Sequence, residues 1–212
     1  TLTPADTLVD QRSWFALKMG AVTVSGGLDP DLIELSATIT IGSLDYNSAT
    51  HPTPALAKRL DWTKAFDLDG DGAFDDVLNP GAGLPVPVAL LIDFPSSLQL
   101  RLNGTLTGNG TADVDGDALT PDATNVLLGL DPLYLTGTAS FALTVSTVAA
   151  DTDGNGLADL TGATLTQLAL DVTSLGVHIQ DVAQLQVAGR LAVVTLTPAD
   201  TLVDQRSWFA LK

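Results

Sequence analysis

The sequence predicts an all-β fold, and three observations carry that expectation. Apolar and polar residues alternate with a period of two along stretch after stretch, the pattern of strands with one buried and one solvated face. Turn formers separate these stretches: 19 glycines and 11 prolines lie among the 212 residues, and such residues set chain reversals. No stretch carries the spacing of an amphipathic helix in competition with this pattern.

Taken in order, Phe15 to Val24 reads as the first strand, with a slip near Gly20 that marks a bulge. Ile33, Leu35, Ala37, Ile39 and Ile41 alternate with Glu34, Ser36, Thr38 and Thr40 in the second. Ala55 to Trp62 is predicted as a short helix following Pro54. Alternation resumes at Val86, Val88, Leu90, Ile92 and Phe94, then at Leu98, Leu100, Leu102 and Leu106. It is longest from Leu133 through Leu135, Gly137, Ala139, Phe141 and Leu143 to Val145. Leu168, Leu170 and Val172 follow, then Leu185, Val187, Gly189, Leu191 and Val193. Glycine recurs at matching places in three of these strands, Gly104, Gly137 and Gly189, which predicts a bend or a close backbone approach.

The chain repeats itself on two scales. Residues 1–18 recur letter for letter as 195–212, a period of 195 minus 1, or 194 residues. Within that period a degenerate repeat is marked by Gly-Leu-Asp-Pro at 27–30 and again at 129–132. Fixed-period self-similarity signals a reused fold unit. The expectation is two homologous β-sandwich-like units per 194-residue repeat, the alternative being a wide β-solenoid. Residues 1–26 then end a preceding pseudo-repeat, 27–128 form a first unit with an insertion at 47–64, and 129–212 form a second unit continuing into the next copy.

Composition excludes several functions. The formal charge is −16 and only nine lysines and arginines are scattered over the chain, so neither nucleic acid nor an anionic membrane is an expected partner. Without cysteine, disulfides and thiolate metal sites play no part. No apolar run is long enough for a membrane helix. His51 and His178 lack any catalytic context, the latter on the outward phase between Val177 and Ile179, and no phosphate loop or nucleophile elbow is present. The chain is therefore read as a non-enzyme.

The acidic residues are patterned. Asp67, Asp69 and Asp71 stand at alternate positions with Gly72 after them, and Asp75 and Asp76 close the stretch. Side-chain oxygens so spaced converge on one hard cation, with the carbonyl of Ala73 available and glycine permitting the turn. Leu78 stands where an EF-hand has its bidentate glutamate, so Asp75 or Asp76 substitutes. Asp151, Asp153, Asn155, Gly156, Leu157 (through its carbonyl) and Asp159 repeat the arrangement. A third stretch, Asp113, Asp115, Asp117 and Asp122, has Ala118 in place of the glycine, and both calcium and a plain acidic loop stay open there. The expected ligand is Ca2+, linked to folding because unscreened carboxylates repel.

These loops resemble the Asp-x-Asp-x-Asp-Gly-x-x-Asp calcium loops of EF-hand-like, dockerin and thrombospondin type-3 repeats, although their flanks read as strands. In organisation the chain resembles the extender regions of giant bacterial surface adhesins, of the biofilm-associated and RTX-adhesin types. That resemblance implies an extracellular, secreted or cell-surface structural element whose partners are neighbouring copies of the same repeat. An alternative is a filament subunit polymerising by β-strand donation, which the identical chain ends suggest. A third is a carbohydrate- or ice-binding module. Its motives are Trp14 and Trp62 and the Thr-x-Thr pairs such as Thr38 with Thr40, although core tryptophans and solvated threonines explain the same residues.

Overall fold

Strand after strand hydrogen-bonds to its neighbour in a single antiparallel sheet. The computed structural model describes residues 10–28, 34–112, 123–130, 133–179, 183–199 and 206–212. Its strands are β1 (Ser13–Leu28), β2 (Glu34–Thr50), β3 (Leu98–Gly108), β4 (Gly110–Ala112), β5 (Ala123–Leu130), β6 (Leu133–Ala150), β7 (Leu160–Ile179), β8 (Ala183–Thr197) and β9 (Trp208–Leu211). Across the sheet the order is β1, β2, β3, β6, β7, β8, β9. The short β4 pairs with β5, which pairs with β6 and with the first residues of β2 beyond the end of β3.

The all-β class is therefore observed, but the strands do not pack as sandwich units: all nine belong to one sheet that does not close into a barrel. Period-two alternation reports that one face of each strand is apolar and is silent on what covers it. The unit boundaries expected at 26/27 and 128/129 fall inside β1 and β5.

Cross-strand register sorts the residues into two faces. On one, Met19, Leu44, Leu102, Leu143, Leu168, Val193 and Leu211 lie in a row across seven strands. Val22, Ile41, Gly104, Phe141, Leu170 and Leu191 form the next row. The other face carries Thr23, Thr40, Thr105, Ser140, Asp171 and Arg190 in one row. Much of the apolar face is open to solvent: Val24, Leu185, Val187, Phe209 and Leu211 are each more than half exposed.

Keeping the rows intact requires extra residues. Along β1 the apolar positions change phase between Met19 and Val22, and along β2 between Ile41 and Leu44. A one-residue slip turns every later side chain to the opposite face. Ala21, at a left-handed φ of 50°, and Gly42 take up the slip where β1 and β2 run together. The β2–β3 register shifts at the same place, between Ile41 and Ser43. β7 does the same between Val172 and Leu175, where its registers with both neighbours shift. The irregularity anticipated near Gly20 is thus a phase corrector. At Gly104 a Cβ would lie 2.4 Å from the carbonyl oxygen of Thr40, the close backbone approach expected there; the space at Gly189 is open.

Two expectations fail in the long β2–β3 connection. Val86 to Phe94 is no strand; it joins no ladder beyond one isolated bridge between Leu78 and Ile92, its other bonds being single ones such as Val88 N to the Gly81 carbonyl and Trp62 N to the Phe94 carbonyl. Pro85 and Pro87 remove the amide donors that a ladder needs. The helix predicted over 55–62 is only a 3-10 turn, Pro54–Leu56; Leu56 stays exposed while Leu60 and Trp62 turn to the core, so no tertiary packing supports a longer helix. Instead the connection folds over the polar face at one end of β1–β3. There Trp62, Ile92, Phe94 and Leu98 are buried, with Trp14, Ala16, Leu60, Phe66 and Leu78 packed around them.

Two buried polar groups anchor that cap. Asp45 sits in register between Lys18 and Arg101, with Lys18 Nζ 3.0 Å from Oδ1 and Arg101 Nη1 3.2 Å from Oδ2. Lys18 also lies over the Phe94 ring, 5.7 Å from its centroid. Asn47 donates from Nδ2 to the carbonyls of Leu60 and Pro95, at 3.1 and 3.2 Å, and accepts from Trp62 Nε1 at 2.9 Å. One fully buried amide thereby ties both limbs of the connection to β2.

Candidate metal centre

The first two Asp loops occupy equivalent places: one lies in the β2–β3 connection, the other joins β6 to β7, and each links a directly paired couple of strands. Ser13, Thr50, Leu98 and Ser146 mark one end of the sheet, and both loops hang from that end.

Their internal hydrogen bonds match. In the first loop, Asp67 accepts from the amides of Gly70 and Gly72 at 2.7 and 3.0 Å, and Asp69 accepts from Asp71 N at 3.1 Å. Asp71 accepts from Ala73 N at 2.8 Å. In the second, Asp151 accepts from Gly154 and Gly156, both at 2.7 Å, Asp153 from Asn155 N at 3.0 Å, and Asn155 from Leu157 N at 2.8 Å. The offset is 151 minus 67, or 84 residues, throughout. Gly70, Gly72, Gly154 and Gly156 adopt φ of 79°, 90°, 81° and 86°, a conformation costly for any residue with a Cβ.

The loops close with different residues. Asp159 accepts from the amide and hydroxyl of Thr152, both at 2.7 Å. Its counterpart by hydrogen bonding is Asp76, which accepts from Leu68 N and Asp69 N at 2.5 and 3.2 Å. The first loop thus carries one residue more before its closing carboxylate. Between the two candidates left open there, the geometry brings Asp76 to the cluster and leaves Asp75 outside it.

Each loop gathers three carboxylates, Asp67, Asp69 and Asp76 in one and Asp151, Asp153 and Asp159 in the other, each set offering oxygens within 4.8 Å of one another. Asp71 and Asn155 stay beside the clusters as acceptors of backbone amides. The third stretch, Asp113, Asp115, Asp117 and Asp122, lies outside the described residues.

Electrostatics favour the ionised loop. The amides of Gly156 and then Gly154 hold the Asp151 carboxyl below its usual range. The Thr152 hydroxyl, then its amide, do the same for Asp159, against the like charge of Asp151, which works the other way. The second loop therefore presents anionic oxygens on a backbone already turned for them.

Other singled-out residues have structural partners. His51 Nδ1 lies 2.8 Å from Thr53 N within a turn. His178 is buried, not outward-facing, with Nε2 3.3 Å from Thr136 Oγ1; alternation places it on the polar face but cannot report the packing there. Trp62 is a core residue, and Trp14 donates to the carbonyl of Lys58 at 3.0 Å.

Comparison with protein-family models, curated proteins and solved structures finds no match for this chain.

Proposed function

We propose that this chain is a calcium-stiffened structural repeat, an extender or fibre element of a large bacterial protein working outside the cell in adhesion or biofilm structure. The observation that carries the reading is the repeated loop: the same hydrogen-bonded Asp cluster, built twice, each time at the connection between two paired strands. A catalytic protein has no need to duplicate such a turn at equivalent joints, whereas a load-bearing one gains a staple at each. Exposed oxygen-only clusters suit a hard cation abundant outside cells.

Calcium titration by calorimetry, with thermal melting in calcium and in excess chelator, tests the proposal. Heat of binding at two sites and a higher melting temperature in calcium are expected. Melting that is unchanged by chelator removes the metal from the reading.

A second reading, a subunit that polymerises by strand donation, draws on the outer edge of β8, where nine consecutive positions from Ala183 are exposed. The mass of the native protein under denaturing conditions separates the two: a covalent array runs far above the 21.9 kDa of this chain, and a donated-strand polymer does not.

A further inference from the structure

The closing 18-mer repeats the opening one, and the structure shows where its last residues sit. β9 has the same residues as Trp14–Leu17 at the start of β1. It pairs antiparallel with β8, placing Val193 opposite Leu211, Val194 opposite Ala210, Thr195 opposite Phe209 and Leu196 opposite Trp208. Ala192 and Lys212 exchange both backbone hydrogen bonds, each at 3.0 Å. Local detail is copied as well: Arg206 lies 5.2 Å over the Trp208 ring, as Arg12 lies 5.1 Å over that of Trp14. β9 is the opening of a second β1, seated on β8.

Beyond it the edge is bare. Among the described residues nothing pairs with the outer side of β8 from 183 to 191, all exposed, and exposure falls at 192–196, beside β9. On the far side of the sheet, among the described residues, β1 pairs with β2 alone. A long edge without proline invites another strand, and residues 183–191 carry one charge, Arg190.

We propose that in an array of this unit the β1 of each copy adds along the outer edge of β8 of the copy before it, so that successive copies share one continuous sheet. The inference rests on the tandem-repeat reading above but not on its metal. The strands match in length, 16 residues in β1 and 15 in β8. Continuing the observed register by one step sets Met19 of the next copy opposite Leu191. Both belong to the apolar face, Met19 in line with Leu44 and Leu191 with Leu170, so that face crosses the junction unbroken.

Disulfide trapping tests the register, since the chain has no cysteine of its own. The test protein carries the 194-residue unit twice before the closing 18-mer, with Leu191→Cys in the first unit and Met19→Cys in the second. Ala192 and Lys212 form a hydrogen-bonded pair, so the 191/19 pair is of the closer, non-hydrogen-bonded kind, about 4.5 Å between Cα atoms and within disulfide reach. Mild oxidation is expected to remove both free thiols and to speed migration on a non-reducing gel. The reversed placement, Met19→Cys in the first unit and Leu191→Cys in the second, sits on the two outer edges and keeps both thiols free. Val193→Cys with Leu211→Cys in the 212-residue chain reports folding and the β8–β9 pairing independently, and is expected to close. If that pair closes while 191/19 stays reduced, or if both tandem placements react alike, the continuous sheet is overturned. Calcium-dependent melting, measured separately, still decides the functional reading.

Discussion

Replacing Asn47 by alanine tests the claim that one amide fastens the β2–β3 connection to the sheet. Asn47 is fully buried and its side chain makes three hydrogen bonds, two donated to carbonyls and one accepted from the Trp62 indole. Alanine strands the indole N–H of a residue only 4% exposed and removes a donor from the Leu60 carbonyl, whereas the Pro95 carbonyl keeps the amide of Leu98 at 3.0 Å. An unsatisfied buried group costs about 1–3 kcal/mol; the carbonyls retain a second lone pair and can relax, so the total is about 2–4 kcal/mol. For a chain of this size that lowers the melting temperature by about 5–15 °C. Tryptophan fluorescence during urea or thermal melting is the assay, because Trp14 and Trp62 both border the affected core. Trp62→Phe removes the indole donor and keeps an aromatic ring, so the double variant should lose about 1 kcal/mol less than the sum of the two single variants. Asn47→Asp should be worse than alanine, since it keeps the acceptor, loses both donors and buries a second carboxylate beside Asp45. A change below about 0.5 kcal/mol for Asn47→Ala, or full additivity with Trp62→Phe, refutes the anchoring role.

Asp45→Asn should cost about 1–3 kcal/mol in a urea melt, because Lys18 and Arg101 lose their shared anion; the lower part of the range for broken buried pairs applies, since both cations keep access to water. A neutral result would mean that the triad is not formed in solution. Asp10, hydrogen-bonded to Arg12, has its carboxyl lowered from 3.8 to about 2. A lowered folded-state value gives a contribution that is complete above the unfolded pKa and is lost as pH falls through about 2. Carboxyl NMR should therefore show Asp10 titrating near 2, with Arg12→Ala returning it toward 3.8; a midpoint indifferent to that substitution would contradict the pairing.

How far the sequence could be read depended on whether the information was local. The strand cores of β2, β3, β6, β7 and β8 were legible because each alternates over its own length. The Asp loops were legible in part: spacing brings Asp67 to Asp69 and Asp151 to Asp153, but that Asp71 and Asn155 turn to backbone amides and that Asp76, not Asp75, closes the first loop is visible only in the folded turn. What stayed hidden needed register. The row of Lys18, Asp45 and Arg101 spans three strands, separated in sequence by 45 minus 18, or 27, and 101 minus 45, or 56 residues. The phase changes at Ala21 and Gly42 look like broken patterns until the strands are laid side by side. The choice between one sheet and two was equally out of reach, because an apolar face has the same period whether a second sheet covers it or none does. Val86 to Phe94 shows the reverse error: its residues alternate as a strand's would, although Pro85 stands just before the stretch and Pro87 inside it.

The two loops are alike in hydrogen bonding but not in what they hold, and this makes their metal-linked stability unequal. The β6–β7 loop closes a hairpin whose ladder runs right up to it, with Ala150 paired to Leu160; the closing bond from Asp159 N to the Ala150 carbonyl at 2.9 Å has its counterpart in the first loop, Asp76 N to the Phe66 carbonyl at 3.1 Å. Its backbone is fixed by the ladder, so a cation there adds little order beyond the loop. The first loop has no ladder beneath it. It is flanked by Phe66 and Leu78, which pack on the core cluster from a connection that has no continuous ladder and is held by the Leu78–Ile92 bridge, by Asn47 and by scattered bonds such as Trp62 N to the Phe94 carbonyl, Arg59 to the Ser96 carbonyl and Trp14 to the Lys58 carbonyl. A cation that fixes Asp67, Asp69 and Asp76 fixes the separation of those two apolar residues as well. Binding energy of the proposed cation at the first loop would thereby be transmitted into the core, whereas at the second it would stay local. In calcium, Asp67→Asn should therefore lower the melting temperature more than Asp151→Asn does, and in chelator the difference should shrink. Equal losses in calcium would mean that the β2–β3 connection holds its shape without the metal.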